Sequence, residues 1–206
     1  MPVNLLSSGG GTTTLTNAAS ASNFTLTLPA STGTIGLSGA AVTRSQLPAG
    51  SVLQVIQTIK TDTFTTTSSS YTDITGLSVN ITPTSASNRI LVIATLSYGG
   101  GTNAYGYAQI LRNGTPIALG NSDSSNRTEN TFPMNIENTP SGDAKLMNAG
   151  MTVLDSPATT SAITYKIQAL SANAGVTVAI NRSGGNSDNA FSGLGVSSIT
   201  VMEIAV

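Results

Sequence analysis

The sequence predicts an all-β protein: an antiparallel β-sandwich of eight to ten strands, preceded by an extended segment that is itself rich in strand signals. Three observations lead there. Short apolar stretches alternating with a period of two recur along residues 51–206 at intervals close to those of a sandwich, with turn residues between them. No ten-residue window carries a convincing 3.6-residue apolar period, and Gly, Thr and Asn are too frequent for helices. Ser and Thr fill roughly 28% of the chain, while the 39% hydrophobic residues are mostly Ala, Val, Ile and Leu, with 4% aromatics. Such a small-residue core suits thin β-layers or close packing about a symmetry axis.

Residues 1–50 stand apart. Their one charge is Arg44, and they read as short Thr/Leu segments separated by Gly, Ser and Ala. Thr12–Thr16 is followed by Asn23–Pro29 and then Thr34–Leu37. In the middle segment Phe24, Leu26 and Leu28 alternate with Thr25 and Thr27. Three such strands are too few to bury a core alone. Gly9-Gly10-Gly11 and Ser7-Ser8 suit a flexible linker. The alternation suits an extension that orders against identical copies or a host surface, and this is the reading adopted, with Phe24, Leu26, Leu28, Ile35 and Leu37 as the anchoring residues. The N-terminal Met1–Leu6 has neither a basic region nor a long apolar stretch, so neither a signal peptide nor a membrane anchor is expected.

Leu47-Pro48-Ala49-Gly50 is a turn-rich boundary, and the expected head spans 51–206. Ser51–Ile59 opens it. Tyr71–Ile81 follows, with Ile74, Leu77, Val79 and Ile81 apolar. A turn at Pro83–Asn88 leads into Arg89–Tyr98, an apolar run typical of a central strand, which Gly99-Gly100-Gly101 breaks. Tyr105–Leu111 resumes, and Asn113-Gly114 signals a type I′ hairpin because both central residues need positive φ. A weak strand near Phe132–Ile136 interrupts the polar stretch 120–143. Lys145–Leu154, Ala162–Leu170, Val176–Ile180 and Ser197–Ala205 complete the set. In the last, Ile199 and Val201 point inward and Thr200 and Met202 outward. A sheet of this size must hide its edges, and a two-sheet jelly roll packed into a trimer does so.

Composition excludes several functions. The 206 residues contain no His, Cys or Trp, only 8% are charged, and the net charge is −1. Most chemistry near neutral pH runs through His, Cys, metal clusters or tuned carboxylates. Eight scattered basic residues leave no footprint for nucleic acid. Sparse charge also gives a free monomer little colloidal protection, which favours life in an assembly.

Several segments resemble phage virion proteins that join a β-rich N-terminal segment to a jelly-roll head. They are Phe24–Ile35, Leu47–Val55, Ile81-Thr82-Pro83 leading to Asn88–Val92, the Leu111–Ile117 hairpin, Asp155–Ala158 before Thr164–Gln168, and Ile199–Ile204. Together they span most of the chain, though each is short. Such proteins occur among tail fibres of bacterial and cyanobacterial viruses, and similar heads decorate capsids. The head also looks like the TNF/C1q-type jelly roll, which trimerises about a three-fold axis. The resemblance implies a non-enzymatic homotrimer on the virion surface, attached through residues 1–50 to tail or major capsid protein. A tail fibre would bind a host-surface glycan or protein; a decoration or cement knob would clamp capsid subunits. About fifty residues precede the head, a reach of roughly 170 Å at most, which favours a short fibre, a fibre tip or a knob.

Each candidate site has a plainer alternative. A glycan-degrading depolymerase would need paired carboxylates about 5–10 Å apart and usually aromatic platforms. The acids are Asp62, Asp73, Asp123, Glu129, Glu137, Asp143, Asp155, Asp188 and Glu203, most of them in turns where Asp bonds locally. No catalytic residue, cofactor or metal is expected. Asn-x-Ser/Thr sequons at Asn23, Asn80, Asn113, Asn126 and Asn181 follow from the abundance of Ser and Thr. Loops 99–106, 120–143 and 183–193, at one end of the sandwich, bring Tyr98, Tyr105, Tyr107, Arg127, Arg182 and Phe191 among Gly, Ser and Asn, the composition of adaptable binding loops. Alternatively, Tyr105 and Tyr107 are simply strand residues on one face.

Overall fold

Period-two alternation governs the structure, a computed structural model that describes residues 3–6, 12–15, 47–121, 126–136 and 145–206. The chain divides into two compact units, Met1–Val42 and Thr43–Val206. In the first, strands β1 (Val3–Leu6) and β2 (Thr12–Leu15) form an antiparallel pair, Val3 opposite Leu15 and Leu6 opposite Thr12. The Thr12 segment was expected as a strand; its partner was not. The expected strands through Phe24, Leu26, Leu28, Ile35 and Leu37 lie outside the described residues.

The second unit carries eleven strands among its described residues: β3 (Val52–Lys60), β4 (Phe64–Thr66), β5 (Thr72–Ile81), β6 (Arg89–Gly100), β7 (Tyr105–Arg112), β8 (Thr115–Ile117), β9 (Phe132–Asn135), β10 (Met147–Asp155), β11 (Ile163–Ser171), β12 (Val178–Ile180) and β13 (Ser197–Ile204). The count exceeds the expected eight to ten because of β4. Its three residues are too few to alternate visibly, and pairing with β12 defines it. Among the described residues no helix is long and apolar enough to cross a membrane.

Two antiparallel sheets result. In the first, Val92 pairs with Val153 of β10 and with Val201 of β13, while Tyr98 pairs with Met147 of β10 and with Ile180 of β12. One residue cannot pair twice on the same side, so β12 and β13 share one flank of β6 and β10 holds the other. Beyond them lie β4 and β3. The layer is therefore four strands wide: β10, β6, β13 continued by β12, and β3 continued by β4. By the same reasoning the second layer runs β5, β11, β7, and then β8 continued by β9. This crossing order is that of a jelly roll, as the sequence led us to expect.

One face of each layer forms a shared core. Ile90, Val92, Ala94, Leu96 and Tyr98 of β6 meet Ile199 and Val201 of β13; Leu77, Val79 and Ile81 of β5, Ala108 and Ile110 of β7, and Tyr165 and Ile167 of β11 come from the other layer. The β7–β8 turn places Asn113 at φ 49° and Gly114 at φ 86°, the positive pair that the hairpin requires. The buried Tyr165 hydroxyl is satisfied inside the core. Tyr165 donates to Asp155 Oδ2 at 2.6 Å, and Arg112 donates to Asp155 Oδ1 at 2.7 Å. Burial, together with the bond to Asp155 and its charge, pushes the Tyr165 hydroxyl far above its ordinary pKa. It stays a donor.

Candidate functional site

The loop end of the sandwich is built on a close approach of backbones. After β12, residues 181–196 fold back over the end of β6. Asn181 N donates to Ser97 O at 2.7 Å, Gly195 N to Asn181 O at 2.9 Å, and Ser183 N to Gly193 O at 3.0 Å. A Cβ at Gly184 would overlap the carbonyl oxygen of Gly100, and one at Gly195 would overlap the Ser97 side chain. Gly184→Ala must therefore lift the loop, and we expect a cost of about 1–3 kcal/mol. Thermal melting should show it as a fall of roughly 2–4 °C per kcal/mol.

Asn181 anchors this loop. It is fully buried, with φ 63°, a conformation that Asn tolerates better than most residues. Its amide donates to Lys60 O at 2.8 Å and Asp62 O at 2.9 Å. Its Oδ1 accepts from Ser197 Oγ at 2.6 Å, and that oxygen in turn accepts from Ser97 N at 3.0 Å. One side chain thus ties the β3–β4 corner to β6 and β13. Arg182 Nη1 donates to Ser183 O and Gly184 O, both at 2.9 Å, so its guanidinium braces the loop. It also borders a cavity of about 240 Å³ with Asn186, Asp188 and Asn189. Asn189 Oδ1 accepts from Phe191 N and Ser192 N at 2.9 and 3.1 Å. This small turn leaves Phe191 82% exposed, beside an exposed Leu194.

The expected tyrosine cluster divides. Tyr98 is only 5% exposed and belongs to the core. It shares the inward parity of Ile90 through Leu96, so its surface assignment is corrected. Tyr105 and Tyr107 lie on β7 at positions alternating with Gly106, Ala108 and Ile110, all buried, and so face outward. Tyr71, which sequence reading passed over as a strand opening, sits near Tyr107. Burial, with a smaller contribution from Tyr107, pushes its pKa up to about 12. Its hydroxyl donates to Glu129 O at 2.8 Å, which brings the segment carrying Arg127 to this face. Arg127, Glu129 and Gly120 border a cavity of about 120 Å³. Arg127 therefore belongs with the tyrosines, and Arg182 and Phe191 with the loop end.

The rest of that outer face is a ladder of polar side chains. Asp73 accepts from Lys166 Nζ and from Gln168 Nε2, each at 2.7 Å; Gln168 Oε1 accepts from Gln109 at 2.8 Å, and Thr164 donates to Asn80 at 2.7 Å. The bond from Lys166, then that from Gln168, holds the Asp73 carboxyl below its ordinary value. Among the described acids, Asp73, Asp155 and Glu203 are taken up in structural bonds. No group of three or more His, Cys, Asp or Glu residues among the described residues could hold a metal.

The class that the fold defines is an antiparallel jelly-roll β-sandwich. No protein-family profile matches the chain, and no curated protein does. Among solved structures it is similar to the VP2 subviral particle of infectious bursal disease virus, at 16% identity and a TM-score of 0.32. The match covers 74% of this chain and 38% of that one, so the chain spans well under half the length of the structure it matches.

Proposed function

We propose that this protein is a non-enzymatic structural component of a phage virion: a homotrimeric surface projection of the tail-fibre type, attached through residues 1–50 and presenting the jelly-roll head to the host surface. The observation that carries this reading is that the segments resembling phage surface proteins supply the opening strand β3, the β5–β6 connection, the β7–β8 hairpin, strand β11 and the closing strand β13 of one sandwich. Supporting it, the exposed Phe191 and the tyrosine face of Tyr71, Tyr105 and Tyr107 offer rigid aromatic contact area, which suits a host glycan or protein.

Quantitative mass spectrometry of purified particles tests the location. A handful of copies per particle is expected for a fibre, and hundreds would assign the protein to capsid decoration. Its absence from particles would end the virion reading. Deleting residues 1–46 is expected to leave a folded head that no longer joins particles, checked by circular dichroism and by immunoblotting of the particle fraction. Normal incorporation of the truncated chain would remove the anchoring role of that segment.

A further inference from the structure

Residues 181–196 border a cavity of about 240 Å³ at the loop end. Bonds within the loop fix its walls. Arg182 braces Ser183 O and Gly184 O, while Asn189 N donates to Ser187 O at 3.0 Å and Ser192 N to Asn189 O at 3.2 Å. Little ordering is therefore left to oppose binding. Three lining side chains take no part in this bracing. Among the described residues nothing bonds to the side chains of Asn186, Ser187 or Asp188. Other acids behave differently: Asp62, Asp73, Asp155 and Glu203 each accept from a neighbouring side chain. Asp188 and the Arg182 guanidinium border one cavity with no ion pair between them, so the lining carries one charge of each sign.

We infer that this cavity binds one neutral sugar ring of a host-surface glycan. The lining selects that occupant. Its opposite charges cancel, so an ion gains little there. A polyol can donate to the Asp188 carboxylate, and can both donate to and accept from the Asn186 amide and the Ser187 hydroxyl. Bonds to a charged group are the stronger kind, and two adjacent hydroxyls match the two oxygens of one carboxylate. A pyranose also has an apolar C–H face. Leu194, 79% exposed, lines the cavity, and Phe191, 82% exposed, stands between the lining residues Asn189 and Ser192. These two supply the apolar counterpart. The apolar anchor of a protein partner would instead leave the polar lining unpaired and shut away from water. Size agrees: about 240 Å³ lies below the about 300–1,000 Å³ of sites for drug-sized ligands, as suits a single ring whose chain continues into solvent. The inference deepens the host-contact part of the proposed function and rests on it.

The test uses the full chain and saturation-transfer NMR. Its probes are the methyl glycosides of glucose, galactose, mannose, rhamnose and N-acetylglucosamine, with methyl glucuronide as the anionic comparison. A ligand of about a dozen heavy atoms, at the efficiency typical of drug-sized ligands, binds with a Kd on the order of 1 mM. At least one neutral glycoside is expected to bind in that range. Asp188 is exposed and unbonded, so Asp188→Ala should keep the wild-type circular dichroism spectrum while weakening the glycoside at least tenfold. Tyr105→Ala, at a position 44% exposed on the tyrosine face, should leave affinity unchanged. If no neutral glycoside binds, or if the glucuronide binds tightest, the assignment of a neutral sugar is overturned. Binding that survives Asp188→Ala overturns the cavity, and its loss in Tyr105→Ala would place the sugar on the tyrosine face. The particle count above decides the virion location independently. A particle-borne chain that binds no sugar loses this site and keeps that reading, and a sugar-binding chain absent from particles does the reverse.

Discussion

Replacing Glu203 with alanine is expected to cost the head about 3–5 kcal/mol, because it leaves the donors of Thr84, Asn88 and Gln54 without their charged acceptor, at about 1–3 kcal/mol for each one left buried and unpaired. Glu203 is fully buried on β13. Its Oε1 accepts from Thr84 N, Thr84 Oγ1 and Asn88 Nδ2 at 2.6, 2.8 and 2.7 Å, and its Oε2 from Gln54 Nε2 at 2.6 Å. The carboxylate thus fastens the β5–β6 turn and β3 to the closing strand. Burial works to raise its pKa, but the bonds from Asn88, Thr84 and Gln54 outweigh it and hold the group below its ordinary 4.5. With the folded pKa depressed, the stabilisation is complete above 4.5 and fades as pH falls through the lower, folded value. Urea titrations of the wild type between pH 5 and pH 3 should show that decline. Glu203→Gln should be weaker at neutral pH and flatter across the window, with Asp73 and Asp62, also depressed, supplying the slope that remains. An acid limb of undiminished steepness in Glu203→Gln would show that the proton is taken up elsewhere.

Asn181→Asp is expected to be comparably damaging, at about 3–5 kcal/mol. The substitution deletes the two donors that satisfy Lys60 O and Asp62 O and sets carboxylate oxygens against those carbonyls. Ser197 Oγ keeps an acceptor, so the loss falls on the β3–β4 corner. Besides a lower urea midpoint, limited proteolysis should cut within residues 181–196 before the rest of the head, since Asn181 is what holds that loop to β6. If cleavage began elsewhere with loop 181–196 still resistant, the anchoring role of Asn181 would be refuted.

The strands were legible because inward and outward residues differ in polarity along most of them. Ile74, Leu77, Val79 and Ile81 occupy the inward positions that the sequence assigned, and Ile199 and Val201 do the same on β13. Asn113-Gly114 announced its hairpin through the positive φ that both residues adopt. Tyr98 misled because both faces of β6 are apolar near their middle, so parity there says little about which side meets solvent. That double apolarity continues onto the neighbouring strands, but seeing it requires the register linking Leu154, Leu91, Met202 and Val55. Glu203 follows Ile199 and Val201 in parity, so its inward direction could have been read from the sequence. Its partners lie more than a hundred residues away, and no local pattern announces them. Tyr71 was missed for a similar reason: its neighbours, Tyr107 and Glu129, come from other elements.

The position of β13 between β3 and β6 sets an order of events during synthesis. Gln54 and Glu203, which bond in the finished head, are 149 residues apart, and ribosomes add about 5–20 residues each second. After β6 is complete at Gly100, therefore, the nascent chain holds for about 5–20 seconds two apolar strands whose mutual partner, which begins at Ser197, has not yet been made. Neither can close a layer, and both can recruit a strand from a neighbouring nascent chain. A premature stop codon anywhere before Ser197 would leave that vacancy permanent, so such truncated products should collect in inclusion bodies while chains carried through β13 escape them.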